Sequence, residues 1–155
     1  MKDGYVINDR LILAAFSGTV AAMAANLFLY LINLFLPGHT VNMPQLTLEI
    51  FLDIGAYTTL QLILGFVWSL VVGGTYTCLY VLILDWTGWK NAWLKALIVV
   101  SGLWVFMAGF IMKLLNLAEA TRNEPLSIAA FYIAHLFFAL LMSYLVQKFG
   151  EPTRN

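Results

Sequence analysis

The sequence predicts an all-α integral membrane protein: a four-helix bundle with an additional amphipathic helical segment between its first two spans. Three observations carry this expectation. The chain is 62% hydrophobic and only 10% charged, against about 45–50% and about 25% in a soluble domain, and its mean hydropathy is +0.87. Four long apolar runs fall at about 11–36, 60–84, 93–117 and 125–147. Each suffices to cross a hydrocarbon core of about 30 Å, which needs about 20 helical residues. Turn residues, tryptophans and short polar stretches separate them. No segment outside the runs is large enough for a second domain, so 1–155 reads as a single transmembrane domain.

The first run, Leu11–Leu36, carries Ala14, Gly18, Ala22 and Asn26 at intervals of four. That spacing sets them on one helix face, where small residues admit a neighbouring backbone at close range. Lys2, Arg10 and Ala22-Met23-Ala24 imitate a signal peptide with a cleavage site. However, the run continues to Leu36, well past the about 7–15 residues of a signal core, so an uncleaved span is expected. Pro37-Gly38 ends it, and His39 falls in the loop that follows.

Pro44 is suited to a helix start. Gln45, Glu49 and Asp53 recur every four residues among apolar neighbours. The segment 44–56 therefore reads as an amphipathic helix with an acidic stripe, lying on the membrane surface or prolonging the second span, with Gly55 as a hinge. Glu49 and Asp53 could bind a cation or do acid–base work, but without further oxygen ligands a solvated stripe is the expectation.

The second span carries its own ladder: Gln61, Gly65, Ser69, Gly73 and Thr77. Helix packing is accordingly assigned to Gly18, Ala22, Gly65, Ser69 and Gly73. Trp86, Trp89 and Trp93 mark the next turn at headgroup level. The third span holds Gly102 and Gly109. The turn 118–124 is polar, Pro125 opens the fourth span, and a polar tail begins at Lys148. Cys78, the single cysteine, excludes an internal disulfide and reads as a small buried hydrophobe.

Lys and Arg near span ends set orientation. Lys2, Arg10, Lys90, Lys95, Lys148 and Arg154 lie toward one side, Lys113 and Arg122 toward the other, a split of six to two. Both termini are expected to be cytoplasmic in the cell membrane, with 44–56 facing outward. Lys113 can snorkel to the headgroups.

Counting from the middle of each span at about 1.5 Å per residue places Asn26 and His135 at nearly the same depth near the bilayer centre, and Asn33 level with Gln61. These four form a candidate intramembrane polar cluster. An ionisable residue at such depth is a functional hypothesis by default: proton relay, metal or haem ligand, or substrate contact. The structural alternative is a neutral imidazole hydrogen-bonded to a neighbouring helix, with Asn26 as its partner. No Cys, carboxylate or second His shares the depth of His135, so no metal and no cofactor is expected. The net charge of +0 offers nucleic acid nothing. No phosphate loop, GxSxG, HExxH or CxxC is present.

Gly18 and Asn26 in the first span, a Gly-rich second span ending in Tyr76 and Tyr80, a Lys-bearing inner turn, Gly102 with Trp104, and His135 with Tyr144 together resemble small four-span membrane proteins of unknown function from Gram-positive bacteria. The resemblance implies a membrane bundle and no activity. The expected function is that of a non-enzymatic membrane protein acting through helix packing, as a homo-oligomer or accessory subunit of a membrane complex. The alternative is a small transporter or proton-handling protein using His135 and Asn26 in an oligomer.

Overall fold

The computed structural model describes residues 6–36, 42–52 and 57–151, and among these it is helical throughout, without a strand. The elements are α1 (Arg10–Phe35), α2 (Met43–Glu49), α3 (Thr59–Thr87), α4 (Ala92–Trp104), a π-helical stretch (Val105–Ile111), α5 (Met112–Leu114), α6 (Glu119–Arg122) and α7 (Pro125–Phe149). Four helices are long and apolar enough to cross a bilayer: α1, α3, the continuous rod Ala92–Leu114, and α7. The chain is a multi-pass membrane protein of helical-bundle architecture.

The helix starts are chemically explicit. Four free backbone N–H groups at a helix N-terminus need acceptors, and side chains supply some of them at α1, α2, α3 and α7. Asp9 accepts from Leu11 and Ile12 N–H at 2.8 and 3.0 Å. Asn42 accepts from Gln45 N–H ahead of α2, with Pro44 in the first turn. Thr58 and Gln61 form a reciprocal capping box on α3. Glu124 accepts from Leu126 and Ser127 N–H ahead of Pro125.

Helix α1 packs on both α3 and α7, and α7 packs in turn on α4. The α1–α3 contact is where the two ladders meet. A Cβ on Gly18 would collide with Gly73 O and come within 2.5 Å of Thr77 Oγ1, and one on Gly73 would lie 2.5 Å from Ala22 Cβ. The ladders therefore work inside one chain. One member of the α3 ladder serves another partner: Gly65 faces α2, where a Cβ would overlap the Pro44 carbonyl oxygen and meet Leu48 Cγ at 2.8 Å.

The helical segment expected over 44–56 is present in shorter form. Its helix ends at Glu49, and it leans on α3 with Leu48 fully buried (0% exposed). Thr59 to Gly65 is about 9 Å of helix rise, so α2 packs alongside the first turns of α3. Glu49 is part-buried and accepts from Tyr57 O–H at 2.6 Å and from Gln45 Nε2 at 3.4 Å. Asp53, Gly55 and His39 lie outside the described residues.

The third span has features of its own. It is interrupted by π-helix, and Gly102 has open space where a Cβ would sit, so its glycines form no packing face within the chain. At the end carrying both termini, Ile7 N–H donates to Phe149 O at 2.8 Å. Arg10 bridges Asp85 at 3.2 Å and Glu151 O at 2.8 Å, and lies over the Trp89 ring. Above this clasp Tyr80, fully buried, bonds Ala92 O at 3.1 Å and Ser143 Oγ at 2.9 Å. Cys78 packs, half-buried, against the same core.

Candidate functional site: an intramembrane cavity

The bundle does not close completely. A cavity of about 130 Å³ lies between α1, α2, α3, the π-helical stretch and α7. Each element contributes for a local reason. The ladders bring α1 and α3 close at Gly18 and Gly73. On the α2 side of that contact the small residues give way to Asn26 and Ser69, which line the space. The π-helix winds more loosely than an α-helix. Trp104, Ala108 and Met112, spaced four residues apart along the third span, are all on the cavity wall. Helix α2 caps the space with Met43, Leu46, Thr47 and Ile50.

Asn26 Nδ2 donates to Ala22 O at 2.8 Å and to Ser69 Oγ at 3.2 Å, across the α1–α3 contact. Its Oδ1 is buried with no partner. Ser69 Oγ donates to Phe66 O at 2.7 Å. His135 Nδ1 donates to Phe131 O at 2.9 Å, and the ring stands edge-on to Phe131 at 4.6 Å. A carbonyl only accepts, so Nδ1 carries the proton, and in the neutral ring Nε2 is left as an acceptor. Trp104 Nε1 is a buried donor without a partner. Tyr76, opposite on α3, stacks edgewise on Phe138. No Asp, Glu, Lys or Arg lines the cavity.

Of the four residues expected to cluster, Asn26 and His135 share this wall, but they do not bond each other: Asn26 is held by Ser69, and His135 by its own helix. Ala22, Ser69 and Gly73 line the same space. Gln61 does not reach it. Its Oε1 accepts from Thr58 N–H at 2.8 Å and Thr58 Oγ1 at 2.9 Å, so it closes the start of α3. Asn33, half-buried further along α1, is not on the wall either.

Sequence reasoning missed Trp104 and the contribution of α2. Trp104 did carry a signal: it falls at the middle of the third span, whereas Trp favours the headgroup zones. Among the described residues no group of three or more His, Cys, Asp or Glu could hold a metal ion. No family model matches the chain, and comparisons with curated proteins and with solved structures return no match.

Proposed function

We propose that this chain is a non-enzymatic membrane protein whose helices hold a small neutral molecule in the cavity around Asn26 and His135. The observation that carries the reading is an uncharged cavity at mid-span whose wall residues bear an unpaired acceptor, Asn26 Oδ1, and an unpaired donor, Trp104 Nε1. A buried polar group without a partner costs about 1–3 kcal/mol, which a ligand able to donate and accept would recover. Apolar cavities of about 150 Å³ admit benzene, so the size suits one ring or a short chain with a hydroxyl or amide. A charged ligand would find no counter-charge on the wall. Ser69 is tied to Phe66 and Asn26 and not to His135, which supports binding over nucleophilic catalysis. The split of basic residues supports a cell-membrane setting with both termini cytoplasmic, and kinship with the four-span group that the motifs resemble belongs to the same proposal.

The test uses the full chain in lipid nanodiscs with phenol as probe. Saturable binding is expected, weakened about tenfold by His135→Leu, which corresponds to one hydrogen bond. Absence of saturable binding to the wild type overturns the reading. In the transport version of this proposal the bound molecule passes across, and no oligomer is needed to bring Asn26 and His135 together. A second reading, the homo-oligomer or accessory subunit, draws support from the third span: it is the least buried of the four, with open space beside Gly102.

A further inference from the structure

At the α2 end of the bundle a second, open pocket of about 430 Å³ lies between the π-helical stretch, α6 and the start of α7. Its wall includes Trp104, Gly109, Lys113, Arg122, Asn123 and Ile128. Lys113 and Arg122 are the two basic residues that the sequence places at this end; the other six of the eight belong to the end with the termini. The turn between the third span and α6 brings these two cations into one pocket, and among the described residues no ion pair neutralises either. The single ion pair among the described residues is Arg10–Asp85, at the opposite end. Arg122 Nη2 donates to the neutral amide oxygen of Asn116 at 3.1 Å, and its Nε is buried with no partner. Both oxygens of Glu124 accept from the first turn of α7, and Glu119 is exposed on α6.

We propose that this pocket holds the phosphate of an anionic phospholipid. The forked guanidinium and the lysine ammonium suit a phosphodiester, which offers several oxygens to charge-assisted donors, and the Asn123 amide adds another. Lys113 sits in the last turn of its span, where a lysine side chain can snorkel to the headgroups. The rest of the wall is apolar, and a Cβ on Gly109 would meet only its own helix at 4.0 Å, which leaves room for an acyl chain against the rod. That apolar wall favours a lipid over a soluble phosphate ester. The site does not depend on what fills the central cavity, although Trp104 and Ala108 stand between the two.

The test is lipid binding to the purified full chain, read by native mass spectrometry, with phosphatidylglycerol and phosphatidylcholine of identical chains as probes. Phosphatidylglycerol is expected to bind about tenfold more tightly. The preference should disappear in Lys113→Gln/Arg122→Gln and persist in Lys90→Gln, an exposed cation at the other end. Arg122→Lys, which keeps the charge but loses the fork, should reduce the preference several-fold. Equal binding of the two lipids by the wild type overturns the proposal with no variant needed, as does an undiminished preference in the folded double variant. If glycerol 3-phosphate binds as tightly as phosphatidylglycerol, the occupant is a soluble phosphate ester and the lipid assignment is overturned.

Discussion

Asn26 shows how far a single side chain can be read from sequence. Depth along a span follows from counting, and counting put Asn26 and His135 on one level, where a common wall now joins them. Counting does not give the direction in which a side chain faces. Asn26 belongs to the Ala14–Gly18–Ala22 face, that face meets α3, and its amide therefore finds Ser69, a member of the opposing ladder. The partner was implied by the two ladders taken together and obscured by reading each alone. Gln61 was misplaced for the converse reason. Thr58 and Gln61 form an S/T-x-x-E/Q signature, a local signal that the four-residue period concealed. One expectation follows for Asn26→Leu. Interhelical hydrogen bonds in membranes contribute about 0.6–2 kcal/mol, and the substitution also removes a buried unpaired oxygen. Stability should change by less than about 1 kcal/mol in a reversible unfolding assay, while phenol binding falls about tenfold. A similar loss in both would make Asn26 structural.

At the scale of elements, the apolar spans were legible because lipid demands them. Their mutual arrangement was largely illegible, because a helix apolar on every side carries no periodic face. The small-residue ladders were the exception, and they located the α1–α3 contact. Gly73→Leu should be severe, since Ala22 Cβ and Gly18 O occupy the space. Overpacking costs about 1–3 kcal/mol or more, and a variant that melts like the wild type would contradict the packing described. Gly65→Leu tests α2 alone. It should displace Pro44 and Leu48 and raise hydrogen exchange across Met43–Glu49, while α1 and α7 remain protected. Unchanged exchange in α2 would show that its seat on α3 is not needed. The π-helical stretch had no counterpart in the sequence reading: Val105–Ile111 is as apolar as its surroundings, and an altered hydrogen-bond register leaves no compositional trace.

For the whole molecule, composition pointed to the class, because 10% charged residues is far below the about 25% of a typical soluble domain. The arrangement in which α7 lies between α1 and α4 had no marker, since its contacts are made by ordinary Ala, Phe and Met side chains. The orientation proposed from the basic residues has a direct check: a tag after Asn155 should be inaccessible to a membrane-impermeant label on intact cells, and labelling would reverse it. Arg10 gives another expectation at this scale. It ties the first helix to Asp85 near the end of α3 and to the chain beyond α7, so Arg10→Ala should lower thermal stability by about 1 kcal/mol. That loss should be mirrored by faster exchange at the termini end and not around Asn26.

The hydrogen bond between Ile7 and Phe149 has a consequence for engineering. The chain enters and leaves the bundle at one point, after an even number of crossings. Two copies joined in tandem by a short flexible linker would thus thread the bilayer in the same sense, each with its own cavity. Joining residues 7 and 149 would yield a closed ring of helices that can be reopened at a different turn, a way of asking which connections the bundle needs in order to assemble.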